Sequence, residues 1–436
     1  MRRWLLGILA VFVLVVVAGL AFFFWPAGLD RLDQNAVADL DQQQLVALGQ
    51  QVAIESDCVA CHTVEGGAPY AGGLAFRIPF GTIYSSNISS DPEAGIGAWS
   101  NEEFARALRK GVGRDGENLY PAFPYTHYAR LTDRDILALR AYLQTVPAAP
   151  EQQAENELEF PFNQRWGIRA WNLLFHHAAP FEPDPNQSQE WNRGFYLVEG
   201  AGHCGECHTP RNALFALENG RKFGGAVQQG WNSYNISTHE DGIGSWTDEQ
   251  LFAYLHTGHA DGRGSASGTM GEAVDLSLRH LPESDIRAMV AYLRTVPQTA
   301  DETPMPVEAS PPLVAQSQPY SPARNEGDDP HQLGLRLFRE SCASCHGWDG
   351  NGQQSPYGSL VGAQSVNDPT GTNVMQVIIK GSDVTSENGR EMMPGFGNTL
   401  TDIEIAALTN YVLDHFGNKD GTVTPDAVAA ARQAGH

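Results

Sequence analysis

All six cysteines of this 436-residue chain fall in one repeated pattern: Cys58-Val-Ala-Cys61-His62, Cys204-Gly-Glu-Cys207-His208 and Cys342-Ala-Ser-Cys345-His346. Two thiols three residues apart on one helical turn can form thioethers to the two vinyl groups of a haem, and the adjacent imidazole then lies under the iron. Other uses of cysteine fit less well. A dithiol redox pair needs neither a histidine after it nor three copies. Structural zinc draws four ligands from paired knuckles, whereas these pairs lie far apart in the sequence. A cysteine pair three apart is also a poor choice for a structural disulfide. The pattern therefore predicts three covalently bound haem c groups. Cys58, Cys61, Cys204, Cys207, Cys342 and Cys345 carry the thioethers, and His62, His208 and His346 are the proximal ligands.

Distal ligands are sought in the residues downstream of each motif. Met270, in Gly268-Thr269-Met270-Gly271, sits where a thioether sulfur completes His/Met ligation and raises the potential. Met393, in Met392-Met393-Pro394-Gly395-Phe396, is the third candidate because the following proline fixes its loop; Met392 is the alternative and Met375 reads as core. The first motif has no methionine before Cys204. A constant offset sets Trp246 against Trp99, Gly258 against Gly111 and Met270 against Phe123, and phenylalanine cannot bind iron. Haem 1 is then five-coordinate or bound by another side chain. His127, in Pro124-Tyr125-Thr126-His127-Tyr128, is the candidate, with an ordinary surface histidine as the alternative.

Mainly α-helical elements must position these residues. A helix containing Leu45 to Gly49 leads to Cys58. Asn87-Ile88-Ser89 and Gly95-Ile96-Gly97-Ala98-Trp99 come next, then a helix over Asn101 to Lys110 with the capping box Ser100/Glu103. A last helix starts near Thr132-Asp133 and aligns Ile136, Leu139, Tyr142 and Leu143 on one face. The second motif repeats the order with Asn235-Ile236-Ser237, Gly242 to Trp246, a helix from Asp248 and another from Asp285. The third is shorter and lacks both loop elements. It begins with a helix over Gln332 to Phe338 and closes with one from Leu400-Thr401-Asp402 to Leu413.

The domain boundaries place an apolar segment at 1–28, the first haem domain at 41–150, an aromatic-rich connection at 151–187 and the second domain at 188–298. A Pro-rich linker at 299–330 precedes the third domain at 331–420 and a tail at 421–436. The aromatic residues before the second motif, including Trp191 and Phe195, read as packing between domains. Met1-Arg2-Arg3 precedes an apolar run from Trp4 to Trp25, long enough for a membrane span and ending in an aromatic belt. It reads as an uncleaved anchor with its arginines cytoplasmic and the rest exported; cleavage after Ala18-Gly19-Leu20-Ala21 is the alternative. The net charge of −23 leaves no basic stripe for nucleic acid. No G-x-G-x-x-G follows a strand, so no dinucleotide site is expected.

From about Asp41 onward the chain resembles the three-haem cytochrome c subunits of bacterial periplasmic dehydrogenases. The resemblance rests on the haem motifs and on Leu119 to Tyr125, Trp191-Asn192-Arg193-Gly194, His203-Cys204 to Arg211-Asn212, and Met393-Pro394-Gly395-Phe396. It implies three class I-like cytochrome c domains in series after an N-terminal transmembrane helix. It further implies electron transfer from a catalytic subunit (molybdopterin, flavin or quinoprotein; alcohol, aldehyde or sugar-acid type) to ubiquinone or a downstream oxidase. Phe123 departs from the alcohol and gluconate types, where this position is usually Met. Together with the anchor it is closer to cytochromes paired with molybdenum-pterin hydroxylases. A peroxidase-like cytochrome using haem 1 and a stand-alone membrane-tethered carrier are the alternatives.

Overall fold

The computed structural model describes residues 2–24, 28–151, 153–300, 329–387 and 389–434. Trp25 and Pro26, at the end of the apolar run, and most of the Pro-rich linker lie outside the described residues. The chain divides into two compact units, residues 1–183 with 199–203, and 184–198 with 204–436.

In the first unit, α1 (Arg2–Phe24) is long and apolar enough to cross a membrane, and Trp4 to Val17 expose their side chains. Helix α2 (Gln42–Glu55) opens with a capping box of Asp41 and Gln44. The left-handed Asp57 (φ 47°) then turns the chain into α3 (Cys58–His62). Strands β1 (Ala75–Ile78) and β2 (Gly81–Tyr84) form a hairpin. Next come α4 (Asn101–Lys110), with the expected Ser100/Glu103 box, the single turn α5 (Tyr125–Tyr128), and α6 (Asp133–Leu143), capped by Thr132. Ile136, Leu139 and Leu143 are buried, as their helical spacing requires. β3 (Glu157–Leu158) extends the hairpin, and α7 (Gly167–Phe175) comes after it.

The second unit repeats this order and then adds a third set of helices. α8 (Gln189–Phe195) precedes the second motif, whose histidine ends α9 (Gly205–His208). Then come β4 (Ala226–Gln228), β5 (Trp231–Ser233) and α10 (Asp248–Thr257). The hairpin β6 (His259–Ala260) and β7 (Gly264–Ser265) leads to α11 (Gly268–Leu276) and α12 (Glu283–Leu293). α12 starts two residues before Asp285. Trp191 and Phe195 pack on Tyr292 of α12, and the Trp191 indole donates to Thr295 Oγ1 at 2.8 Å. These aromatics fill the crossing of two helices in their own set instead of joining domains.

The third set is α13 (Pro330–Ser341), α14 (Ala343–His346), α15 (Gln364–Asn367), α16 (Thr372–Lys380), the hairpin β8 (Ser382–Ser386) and β9 (Gly389–Met393), and α17 (Asp402–Gly417). The tail folds as α18 (Pro425–Ala434). Its Val428 and Ala431 join the core, and Arg432 binds Asp402 and the Leu400 carbonyl, both at 2.7 Å.

One physical constraint recurs in all three sets. The helix before each motif crosses the last helix at a glycine. A Cβ on Gly49 would lie 1.9 Å from the Ala138 carbonyl oxygen, one on Gly194 1.9 Å from that of Ala288, and one on Gly334 2.4 Å from that of Ala407. Only glycine lets the two backbones approach this closely, and the crossing sets where each cysteine pair emerges.

Candidate haem-binding sites

Each motif histidine is held the same way. Nδ1 of His62 donates to the Ser86 carbonyl at 2.6 Å, that of His208 to the Tyr234 carbonyl at 2.6 Å, and that of His346 to the Gly358 carbonyl at 2.7 Å. A carbonyl can only accept, so the proton is fixed on Nδ1 and the Nε2 lone pair is left available to a metal. Burial holds all three imidazoles below their ordinary pKa, against the opposing effect of the carbonyl. Burial also raises two of the thiols, those of Cys58 and Cys342. Cys58 is pushed well up, with Asp57 and Cys61 adding to the effect, and Cys342 is pushed up to about 11. Neutral, oriented imidazoles are what metal ligation by histidine requires.

The Asn-Ile-Ser element explains why the accepting carbonyl is in place, a role the sequence does not disclose. Asn87 Nδ2 donates to the Ala149 carbonyl at 2.7 Å, its Oδ1 accepts from Ser89 N, and Ser89 Oγ accepts from Ala149 N. Asn235 and Ser237 make the same three bonds, with Thr299 in the place of Ala149. The residue before each asparagine supplies the carbonyl for the motif histidine. The chain leaving the last helix is thereby tied to the proximal side of the site. The repeat marks this element, but sequence reasoning assigned it no task.

A second tie acts on the middle motif from the third set. Asn232 and Asn373 exchange side-chain-to-backbone bonds of 2.8 and 2.9 Å. The buried Asp368 carboxylate accepts from Asn232 Nδ2 at 2.8 Å and from the Tyr234 hydroxyl at 3.4 Å. The strand end that presents the Tyr234 carbonyl to His208 is thus anchored from more than a hundred residues away. Nothing in the sequence marks Asp368.

Around the third motif a cavity of about 270 Å³ is lined by Cys342, Cys345, His346, Met393 and Pro394 together with Ser265 to Ser267. Met392 also borders it but is 69% exposed, whereas Met393 packs on the core. Met375 is buried in that core. The donor set suits a covalently bound tetrapyrrole, with two thiols, a histidine and a thioether among largely apolar lining residues.

Met270 lies half-buried on α11. The repeat holds close to it. Leu119 N donates to the Gly111 carbonyl and Ala266 N to the Gly258 carbonyl, both at 2.7 Å, so the loops match to within four residues of Phe123 and Met270. Phe123 packs against the Tyr125 and Tyr128 rings. His127 is buried, and its Nδ1 donates to the Glu199 carbonyl at 2.8 Å within the first unit, the same arrangement as at the three motif histidines.

Comparison with known proteins agrees with this chemistry. The cytochrome c family pattern matches residues 46–147 and 332–415. The chain is 40% identical to the fructose dehydrogenase cytochrome subunit of Gluconobacter japonicus, over 89% of this chain and 83% of the other. It is 35% identical to the gluconate 2-dehydrogenase cytochrome c subunit of Pantoea cypripedii, over 93% of each. A nicotinate dehydrogenase subunit of Pseudomonas putida is 38% identical over 84% of this chain, which spans 30% of that larger protein. The protein is a cytochrome c. Within that class it belongs to the family of dehydrogenase cytochrome c subunits.

Proposed function

We propose that this protein is a three-haem electron-transfer subunit, held at the cytoplasmic membrane by α1 with its haem domains in the periplasm. It would pass electrons from a dehydrogenase catalytic subunit to ubiquinone or an oxidase. The observation that carries the reading is the threefold recurrence of a Cys-x-x-Cys-His turn whose histidine is fixed by a backbone carbonyl. When bound, haem supplies one-electron chemistry at iron. The protein's part is to set ligands, burial and spacing.

In this reading the six cysteines would hold the porphyrins, and His62, His208 and His346 would supply an imidazole to each iron. Met270 and Met393 would supply a thioether at the second and third sites. His127 takes that place in the first, where Phe123 stands against Met270. The buried imidazole with Nδ1 already committed supports it, since ligating histidines commonly donate the other ring N–H to a carbonyl. Such a site has no open position for substrate, which favours electron relay over peroxidase-like turnover. A histidine in place of a thioether puts the first haem at lower potential than the other two.

Mild-detergent purification from native membranes tests the role. A stoichiometric large subunit carrying molybdopterin, flavin or pyrroloquinoline quinone, with three haems per cytochrome chain, is the expected result. Recovery of the cytochrome alone, with rapid peroxide turnover, would reject it.

A further inference from the structure

The segment after the first haem set carries an apolar surface that the relay does not use. Phe160 is 80% exposed, Leu173 65% and Leu174 60%, and Phe162 and Trp166 are also exposed. So concentrated a patch is uncommon on a surface that faces only water. Polar side chains in the last turn of α7 tie it to the body of the first unit. Asn172 accepts from the Tyr125 hydroxyl at 2.6 Å, and His176 Nε2 bonds the Arg109 carbonyl at 2.7 Å. Exposed Trp166, Leu173 and Leu174 share one face at helical spacing, with part-exposed Arg169 and Ala170 between them.

The start of this face meets the end of α1. The Trp166 ring lies edge-on to Phe23 at 5.3 Å, and the Arg169 guanidinium stands 5.3 Å over the Phe22 ring. Phe162 stacks on Phe80 at 3.9 Å, holding the preceding loop beside it. Charge points the same way. In a chain of net charge −23, no carboxylate occurs from Phe160 to Phe181, while Arg165 and Arg169 do. Aromatic rings, exposed leucines and arginines beside the end of an apolar spanning helix match the boundary between acyl chains and headgroups.

We propose that residues 160–175 form a second membrane contact, an interfacial shelf that seats its apolar side chains in the bilayer surface and its arginines among anionic headgroups. This rests on the reading that α1 spans the membrane. The shelf would hold the first haem set against the bilayer and limit its rotation about α1.

The test uses the full chain, carrying an inserted protease site after Gly28, in vesicles of phosphatidylethanolamine and phosphatidylglycerol (3:1). Retention of the uncut protein through an alkaline wash reports on α1 alone, and loss at this step refutes the spanning reading and the shelf with it. After cutting, the body is expected to stay with the vesicles at neutral pH. The triple variant Phe160→Ser, Leu173→Ser, Leu174→Ser, checked for an unchanged visible spectrum, is expected to shift partition toward the supernatant by roughly ten-fold or more. Release of the cut wild-type body overturns the proposal. If the released body self-associates, the patch is a protein interface instead. Equal retention of the cut variant also overturns it, because another surface then holds the membrane.

Discussion

Substituting Gly334 by alanine tests whether the helix crossings set the haem motifs. In α13 the new Cβ would lie 2.4 Å from the Ala407 carbonyl oxygen and 2.6 Å from the Tyr411 Cβ, where ordinary contact begins at 3.4 Å. The oxygen belongs to the α17 backbone and cannot rotate aside, so the helices must part by about 1 Å. Overpacking of this kind costs about 3 kcal/mol at the upper end of its range. Alanine returns about 1 kcal/mol through helix propensity, leaving a net loss of about 2 kcal/mol. Hydrogen exchange by mass spectrometry resolves α13 and α17 separately, which avoids assuming that a multi-domain chain unfolds in one step. Protected amides there are expected to exchange roughly 30-fold faster. Gly49 and Gly194, at 1.9 Å, should tolerate alanine less well, and Gly167, with nothing within 4 Å of its Cβ, is the control. Wild-type exchange and full haem incorporation in Gly334→Ala would mean that the helices part freely and that the crossing does not aim Cys342.

Four further outcomes are expected. His127→Ala should convert haem 1 to a form that binds cyanide or imidazole, while Met393→Ala should remove the sulfur–iron absorption of one haem and lower its potential; an unchanged haem 1 spectrum would eliminate His127 as ligand. Asp368→Ala leaves the Asn232 amide without its carboxylate, a loss of about 1–3 kcal/mol. It should shift the potential of the second haem in a redox titration without moving the first. Acid should loosen α7. Burial holds His176 below its ordinary pKa, helped by His177 and Arg130 against the Arg109 carbonyl, and its buried Nδ1 has no partner for a second proton. The folded state therefore binds fewer protons than the unfolded one. Docking is complete above about pH 6.5 and weakens as the pH falls below it. Exchange of α7 amides, corrected for intrinsic rate, should rise from pH 7 to 5 in wild type but not in His176→Gln.

Much of what positions the motifs was legible from the sequence, because a site for haem attachment would need fixed residue types at fixed local spacing. The three motifs, the capping box at Ser100, and the repeat pairing Phe123 with Met270 all depend on short-range geometry. Helix starts were legible for the same reason, to within about two residues at α12. What the tertiary structure decided depends on partners distant in the chain. That Ser86, Tyr234 and Gly358 would turn carbonyls to the histidines cannot be read locally. Nor can the clamp of Asn87 on Ala149, the reach of Asp368 to the strand beside His208, or the place of α18 in the third core. The aromatic residues show the limit most plainly. Trp191, Phe195 and Trp166 look alike as sequence. The fold packs the first two against Tyr292 within one helix pair and sets the third beside Phe23. Side-chain type fixes the drive to leave water, and only the long-range packing decides which surface receives it.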